Sequence, residues 1–102
     1  GNEPTRRVEW TFGVEYGSDF DHVKSVIENV LAKESRVLDN PAPFIALSAL
    51  ADSSVNVVVR VWVKSYDYWG VYFDTNKAIY ETFNAESIGF PFPQLTVHQV
   101  KN

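Results

Sequence analysis

An α+β domain with the element order βαββαβ is predicted by three features of this 102-residue chain. Residues Arg6 to Tyr16 alternate strictly between apolar and polar types, the period of a half-buried strand. Residues Val55 to Lys64 place Val55, Val57, Val59, Val61 and Val63 on one side of a second, stronger β signal. Two further segments, Phe20–Leu31 and Trp69–Phe83, carry apolar residues at helical spacing. The resulting order is the ferredoxin-like split βαβ arrangement, an antiparallel sheet with two helices on one face. A content of 45% apolar and 22% charged residues is ordinary for one globular core of this size.

Gly1 to Thr5 is polar, holds Pro4 and reads as a short linker or frayed end; the domain runs from 6 to 93, and 94–102 is a separate C-terminal strand segment. In the first strand Val8, Trp10, Phe12, Val14 and Tyr16 share one face, and Arg7, Glu9, Thr11, Gly13 and Glu15 the other. Gly17-Ser18 ends it. Ser18 with Asp21 three residues on fits a capping box, and Asp19 adds negative charge at the positive end of a helix. Phe20, Val23, Ile27, Val30 and Leu31 form the apolar stripe of that helix, which should stop near Lys33 to Ser35. A loop through Asp39-Asn40-Pro41-Ala42-Pro43 follows.

Phe44 to Ala51 reads as the second strand. Ala46, Leu47, Ala49 and Leu50 would also suit a helix, but the stretch is short and runs through the turn Asp52-Ser53-Ser54 into the Val-rich strand. The other face of that third strand carries Asn56, Val58, Arg60 and Trp62, so Arg60 needs a partner or a route to solvent. Asp67 is placed to cap the second helix, in which Trp69, Tyr72, Phe73, Asn76, Ile79, Tyr80 and Phe83 define a core-facing stripe with Asn76 as its polar intrusion. From Ile88 to Gln94 aromatics and prolines alternate, making a stiff extended connector. Gln94 to Val100 is the last short strand. Only Leu95 and Val97 offer neighbouring inward apolar positions there, which favours pairing with identical neighbours over its own sheet.

Composition excludes several functions. A formal net charge of −4 argues against nucleic acid, which needs a basic patch. The lack of Cys removes disulfides, thiolate chemistry and Cys-ligated zinc. No run approaches the roughly 18 apolar residues of a membrane span and no signal-peptide pattern opens the chain, so the polypeptide itself reads as soluble. With no Met at all, the chain reads as a fragment, or as one that lost its initiator before Gly1.

Candidate chemistry is thin. His22 beside Asp19 and Asp21 reads as a solvated helix start, because a metal site needs three or four converging ligands. His98 has no acid placed to orient it, and Ser53-Ser54 lacks any nucleophile motif. Gly13, Gly17, Gly70 and Gly89 are too scattered for a phosphate loop. No catalytic residue, metal ligand or cofactor is therefore expected. Most aromatics fall on predicted core faces, whereas Tyr66, Tyr68 and Trp62 do not and suggest a subunit or domain contact. Arg6, Arg7 and Glu9 cluster at the start of the first strand, with Arg7 and Glu9 on its polar face.

Several segments, in order and spacing, resemble one family. They are Arg6-Arg7 entering the first strand, Tyr16-x-Ser-Asp-x-Asp21, Asp52-Ser-Ser-Val-Asn56 with Val59-Arg60-x-Trp62, Asp67-Tyr-Trp69 and Pro91-Phe-Pro-Gln94. From about Pro4 to Lys101 the chain is similar to the C-terminal cytoplasmic domain of small-conductance mechanosensitive channels, the MscS family. Ala49 departs from it, since similar sequences often carry an acidic residue there. The resemblance implies a homoheptameric channel of the bacterial inner membrane, opened by tension on hypoosmotic shock to release ions and small solutes. Its soluble part is a hollow cage with lateral portals, on the cytoplasmic side, and this chain would supply the lower cage wall without the transmembrane segments. By the same resemblance Arg6, Arg7 and Glu9 would line a portal, and Gln94, Leu95, Thr96, Val97, His98, Gln99 and Val100 would form an intersubunit barrel strand. The competing reading is a ferredoxin-like regulatory domain that binds a small molecule at an interface; a small enzyme of the same fold is the third.

Overall fold

A computed structural model describes residues 3–91. Strand β1 (Thr5–Val14) leads to helix α1 (Phe20–Ala32), then strands β2 (Phe44–Leu50) and β3 (Val55–Lys64) and helix α2 (Tyr68–Ala85), with a single 3-10 turn at Ser65–Asp67 before α2. The sheet is antiparallel in the order β1-β3-β2. The long β3 is central, with Val57, Val59, Val61 and Val63 fully buried on one face and Val58 nearly so on the other. The α+β class, an antiparallel sheet with two helices, is as expected, and three of the four expected strands lie among the described residues. The predicted strand over 94–100 lies outside the described residues.

One contiguous core joins the valines of β3 to Val8, Trp10 and Val14 of β1, to Val23, Val26, Ile27 and Leu31 of α1, and to Val71, Ile79 and Phe83 of α2. In register Val8 faces Val61, Trp10 faces Val59 and Val14 faces Val55, so the alternation read in β1 is the alternation that packs. Trp10 lies stacked with Phe12 and Tyr72, its indole N–H buried without a hydrogen-bond partner among the described residues. β2 pairs with β3 from Phe44 to Leu50, with a register shift between Leu47 and Ala49.

Two sequence-based expectations are corrected. The N-cap of α1 is Asp19, not Ser18: the Asp19 carboxylate accepts from the Asp21 N–H at 3.0 Å, while the Ser18 N–H turns back to the Glu15 carbonyl. The larger correction concerns α2. Its buried face is Val71, Thr75, Ile79 and Phe83, with Tyr68 and Tyr72 packed beside them. Ile79 and Phe83 were correctly placed, but Trp69, Phe73 and Tyr80 are 58%, 59% and 60% exposed. The helix carries two apolar stripes, and the larger aromatics marked the outer one. Asp67 starts α2 as expected but makes no side-chain capping bond, since the preceding 3-10 turn places it in helical backbone geometry.

α2 ends in a Schellman motif. The Ile88 N–H donates to the Phe83 carbonyl at 2.9 Å and the Ser87 N–H to that of Asn84 at 3.3 Å, with Ser87 at φ 58° in the left-handed position usually given to Gly. Buried Ile88 closes the motif over Phe83. The chain then returns to β1: the Glu15 N–H donates to the Gly89 carbonyl at 3.1 Å. A Cβ at Gly89 would stand 2.0 Å from a Glu15 carboxylate oxygen, so any side chain there would push the exposed Glu15 side chain aside.

Candidate functional site

The helix-free face of the sheet carries a charged row built by strand register. Glu9 of β1 lies opposite Arg60 of β3, which lies opposite Phe44 of β2. Glu9 Oε1 accepts from Arg60 Nε at 2.9 Å and lies 3.5 Å from Arg7 Nη2, two residues along the same face. The Arg60 guanidinium is also 5.4 Å from the Phe44 ring centre. Arg60 thus has both the partner and the solvent route that its position demanded, its side chain being 39% exposed. One carboxylate between two guanidiniums leaves the row with a local excess of one positive charge.

Of the three residues singled out in sequence, Arg7 and Glu9 are brought together and Arg6 is not. Arg6 has the opposite strand parity, and its guanidinium lies 3.9 Å over the Tyr68 ring at the start of α2. The segment Gln94 to Val100 lies outside the described residues. Arg60 belongs to the row although only its need for a partner was read from sequence; its pairing follows from the Glu9–Arg60 register.

A second charged group was missed. Glu34 and Arg36, in the loop after α1, form a bidentate pair: Arg36 Nε to Glu34 Oε2 and Arg36 Nη2 to Glu34 Oε1, both at 2.8 Å. Arg36 Nη2 reaches Asp74 of α2 at 2.7 Å as well, tying the loop to the helix. The Arg36 hydrogen bond holds the Glu34 carboxyl below its ordinary range, against the opposing pull of burial. The two carboxylates raise Arg36 in turn, the Glu34 hydrogen bond most. Gly70 makes room: a Cβ there would sit 2.6 Å from Arg36 Nη1. The acid and base two residues apart, with a glycine inside a predicted helix, were the signals available in the sequence.

Beside this clamp lies an open cleft of about 520 Å³ between the end of α1, the loop and β2, lined by Leu31, Val37, Leu38, Pro43 and Ile45 with Glu28, Glu34 and Asp39. Its most engaged carboxylate, Glu34, is already bound to Arg36. His22 Nε2 stands 3.4 Å from Glu86 Oε1, and among the described residues no group of three or more His, Asp or Glu is arranged to hold a metal ion. At the β2–β3 turn the Ser54 hydroxyl donates to Asn56 Oδ1 at 2.7 Å, and the Tyr16 hydroxyl donates to the Ala51 carbonyl, fastening the turn to the end of β1. No helix among the described residues is long and apolar enough to cross a membrane.

Fold and site together define an α+β module: charged on its open sheet face, aromatic along one helix and held by a single core. Residues 8–90 match the family model described as the mechanosensitive ion channel MscS, C-terminal. The chain is 44% identical over 96 residues to a small-conductance mechanosensitive channel of Edwardsiella ictaluri, covering 94% of this chain and 34% of that protein. It is 33% identical over 102 residues to the corresponding channel of Helicobacter pylori, covering 99% of this chain and 37% of that one. The crystal structure of Helicobacter pylori MscS in its closed state superposes with a TM-score of 0.85 at 33% identity, over 96% of this chain and 39% of that chain. The chain therefore belongs to the MscS mechanosensitive channel family and is similar to its C-terminal domain. It spans about a third of the length of these relatives. The family is one of membrane ion channels, not of enzymes.

Proposed function

We propose that this domain is part of the cytoplasmic vestibule wall of a homoheptameric channel that releases ions and small solutes on hypoosmotic shock. It sits on the cytoplasmic side of the bacterial inner membrane, with the membrane reached through segments outside this sequence. Its role is structural and ion-filtering, without catalysis, metal or cofactor. The family match over residues 8–90 carries this reading. In it the row Arg7–Glu9–Arg60 lines a portal and residues 94–102 form a strand segment separate from the 6–93 domain, Gln94–Val100 pairing between subunits. Arg6, turned to the helix side against Tyr68, supports the row's edge instead of facing the opening.

A charged rim biases permeation through its field, which salt screens within about 10 Å at 0.1 M. The Glu9→Gln substitution in the full-length channel removes the one negative charge between Arg7 and Arg60 and leaves two positive ones. Reversal potentials in a salt gradient should shift towards anions, and more at low than at high salt. A reversal potential unchanged at low salt removes the portal assignment and leaves the channel family intact.

A further inference from the structure

Nothing in the channel reading uses the open cleft beside the Arg36 clamp. Its volume of about 520 Å³ falls within the range of small-molecule sites. Leu31 at the end of α1, Val37 and Leu38 of the loop, and Pro43 and Ile45 entering β2 give it an apolar floor. Its walls are fixed before any ligand arrives. The Leu38 N–H donates to the Trp62 carbonyl at 2.9 Å, and Arg36 ties the loop to Asp74 at 2.7 Å.

Three carboxylates also line the cleft, Glu28 of α1 and Glu34 and Asp39 of the loop, and no Lys, Arg or His does so among the described residues. Glu34 is neutralised, since both its oxygens accept from Arg36 at 2.8 Å. Glu28 and Asp39 are exposed and make no ion pair among the described residues. They reach the cleft from different elements, α1 and the loop. Two unpaired negative charges on different walls of an apolar cleft select an occupant of the reverse pattern, positive at both ends and apolar between. A bare metal ion would not use the floor, and no group of three or more His, Asp or Glu among the described residues is arranged to hold one. A neutral apolar molecule would leave both carboxylates unpaired.

We propose that this cleft binds a linear aliphatic diamine, its two ammonium groups on Glu28 and Asp39 and its methylene chain on the floor of Leu31, Val37, Leu38 and Ile45. Both amines of such a molecule are protonated at neutral pH, as the ammonium of Lys is. Each exposed charge pair contributes only about two- to fivefold in affinity. The chain supplies the rest, about twofold for each methylene half-removed from water. Hexamethylenediamine, with three more methylenes than trimethylenediamine at the same charge, should therefore bind about eightfold tighter. That dependence on length separates a built site from counterions over an acidic surface, which takes every dication alike. The inference goes beyond the channel reading and does not depend on which residues line a portal.

The test uses the full-length channel in lipid nanodiscs, with Ser35→Cys as its only cysteine. Ser35 lines the cleft, so the rate at which a cationic methanethiosulfonate reagent modifies the new thiol reports occupancy. Hexamethylenediamine should protect it, with half-protection at a concentration about eightfold lower than trimethylenediamine requires. Glu28→Gln and Asp39→Asn should each raise that concentration about two- to fivefold. Ala42→Cys, at the β2 side of the cleft, serves where the Ser35 variant does not assemble. Equal protection by both diamines and by magnesium means an adventitious ion only and overturns the inference. So does protection that survives both charge removals together, and so does a thiol that neither diamine protects. A thiol that reacts in the 102-residue chain but not in the assembled channel means that a neighbouring chain covers the cleft, and overturns it as well.

Discussion

The two helices treat their apolar residues differently. In α1 the stripe read from sequence is the inward face: Val23, Ile27 and Leu31 are buried, Phe20 and Val30 pack against them partly buried, and Val26 has to be added. In α2 the buried face is Val71, Thr75, Ile79 and Phe83, while Trp69, Phe73 and Tyr80 point outward. A helix with one apolar face is fully accounted for by its own core. A helix with two has more apolar surface than its own domain uses, and the surplus in α2 is aromatic, the kind enriched at contacts between proteins.

The strongest break of this comparison lies at Phe83, fully buried and in ring contact with Phe12 and Phe90. The Phe83→Ala variant should lose about 3–5 kcal/mol of unfolding free energy in urea titrations. A loss below about 1 kcal/mol would mean that α2 does not pack through this face.

A smaller effect is expected at the clamp that sets the rotation of α2. Arg36→Ala removes the bonds to Glu34 and Asp74, and with one third of the Arg36 side chain exposed it should cost only about 1 kcal/mol. The same pair sets an acid dependence. The Glu34 carboxyl is lowered in the folded state, so its contribution is fully present above the unfolded value of about 4.3 and is lost as pH falls through the lowered folded value. Between pH 5 and pH 3, values chosen to bracket roughly that range, Arg36→Ala should lose less stability than the wild-type chain. Parallel losses in the two proteins would remove the clamp as their source.

The sheet was legible because strand period, valine content and register all depend on local sequence. Val57 to Val63 can bury only one way, and β1 repeats the same alternation opposite them. Glu9 and Arg60 were each visible, but their bond joins residues 51 positions apart and exists only once the register is set. The α2 error has a different cause. Helical spacing identifies stripes without saying which one faces inward, and weighting by size favours Trp69 and Phe73 over Val71 and Thr75. The inner face is set by packing on the sheet, where Val71 joins the core of the β3 valines, Thr75 is buried beside it and the Phe83 ring meets Phe12 of β1. The Ser87 turn was hidden likewise, because Ser there takes a conformation that sequence rules assign to Gly.

The most direct test of α2 as a two-faced helix is urea unfolding of the 102-residue chain carrying Trp69→Ser, Phe73→Ser and Tyr80→Ser together. With those side chains on an outer face, the triple variant should lose less than about 2 kcal/mol, well short of the single Phe83→Ala substitution, because surface changes cost little individually. A loss equal to or greater than that of Phe83→Ala would place the aromatic stripe in the core of its own domain and contradict the division of α2 into an inner and an outer face.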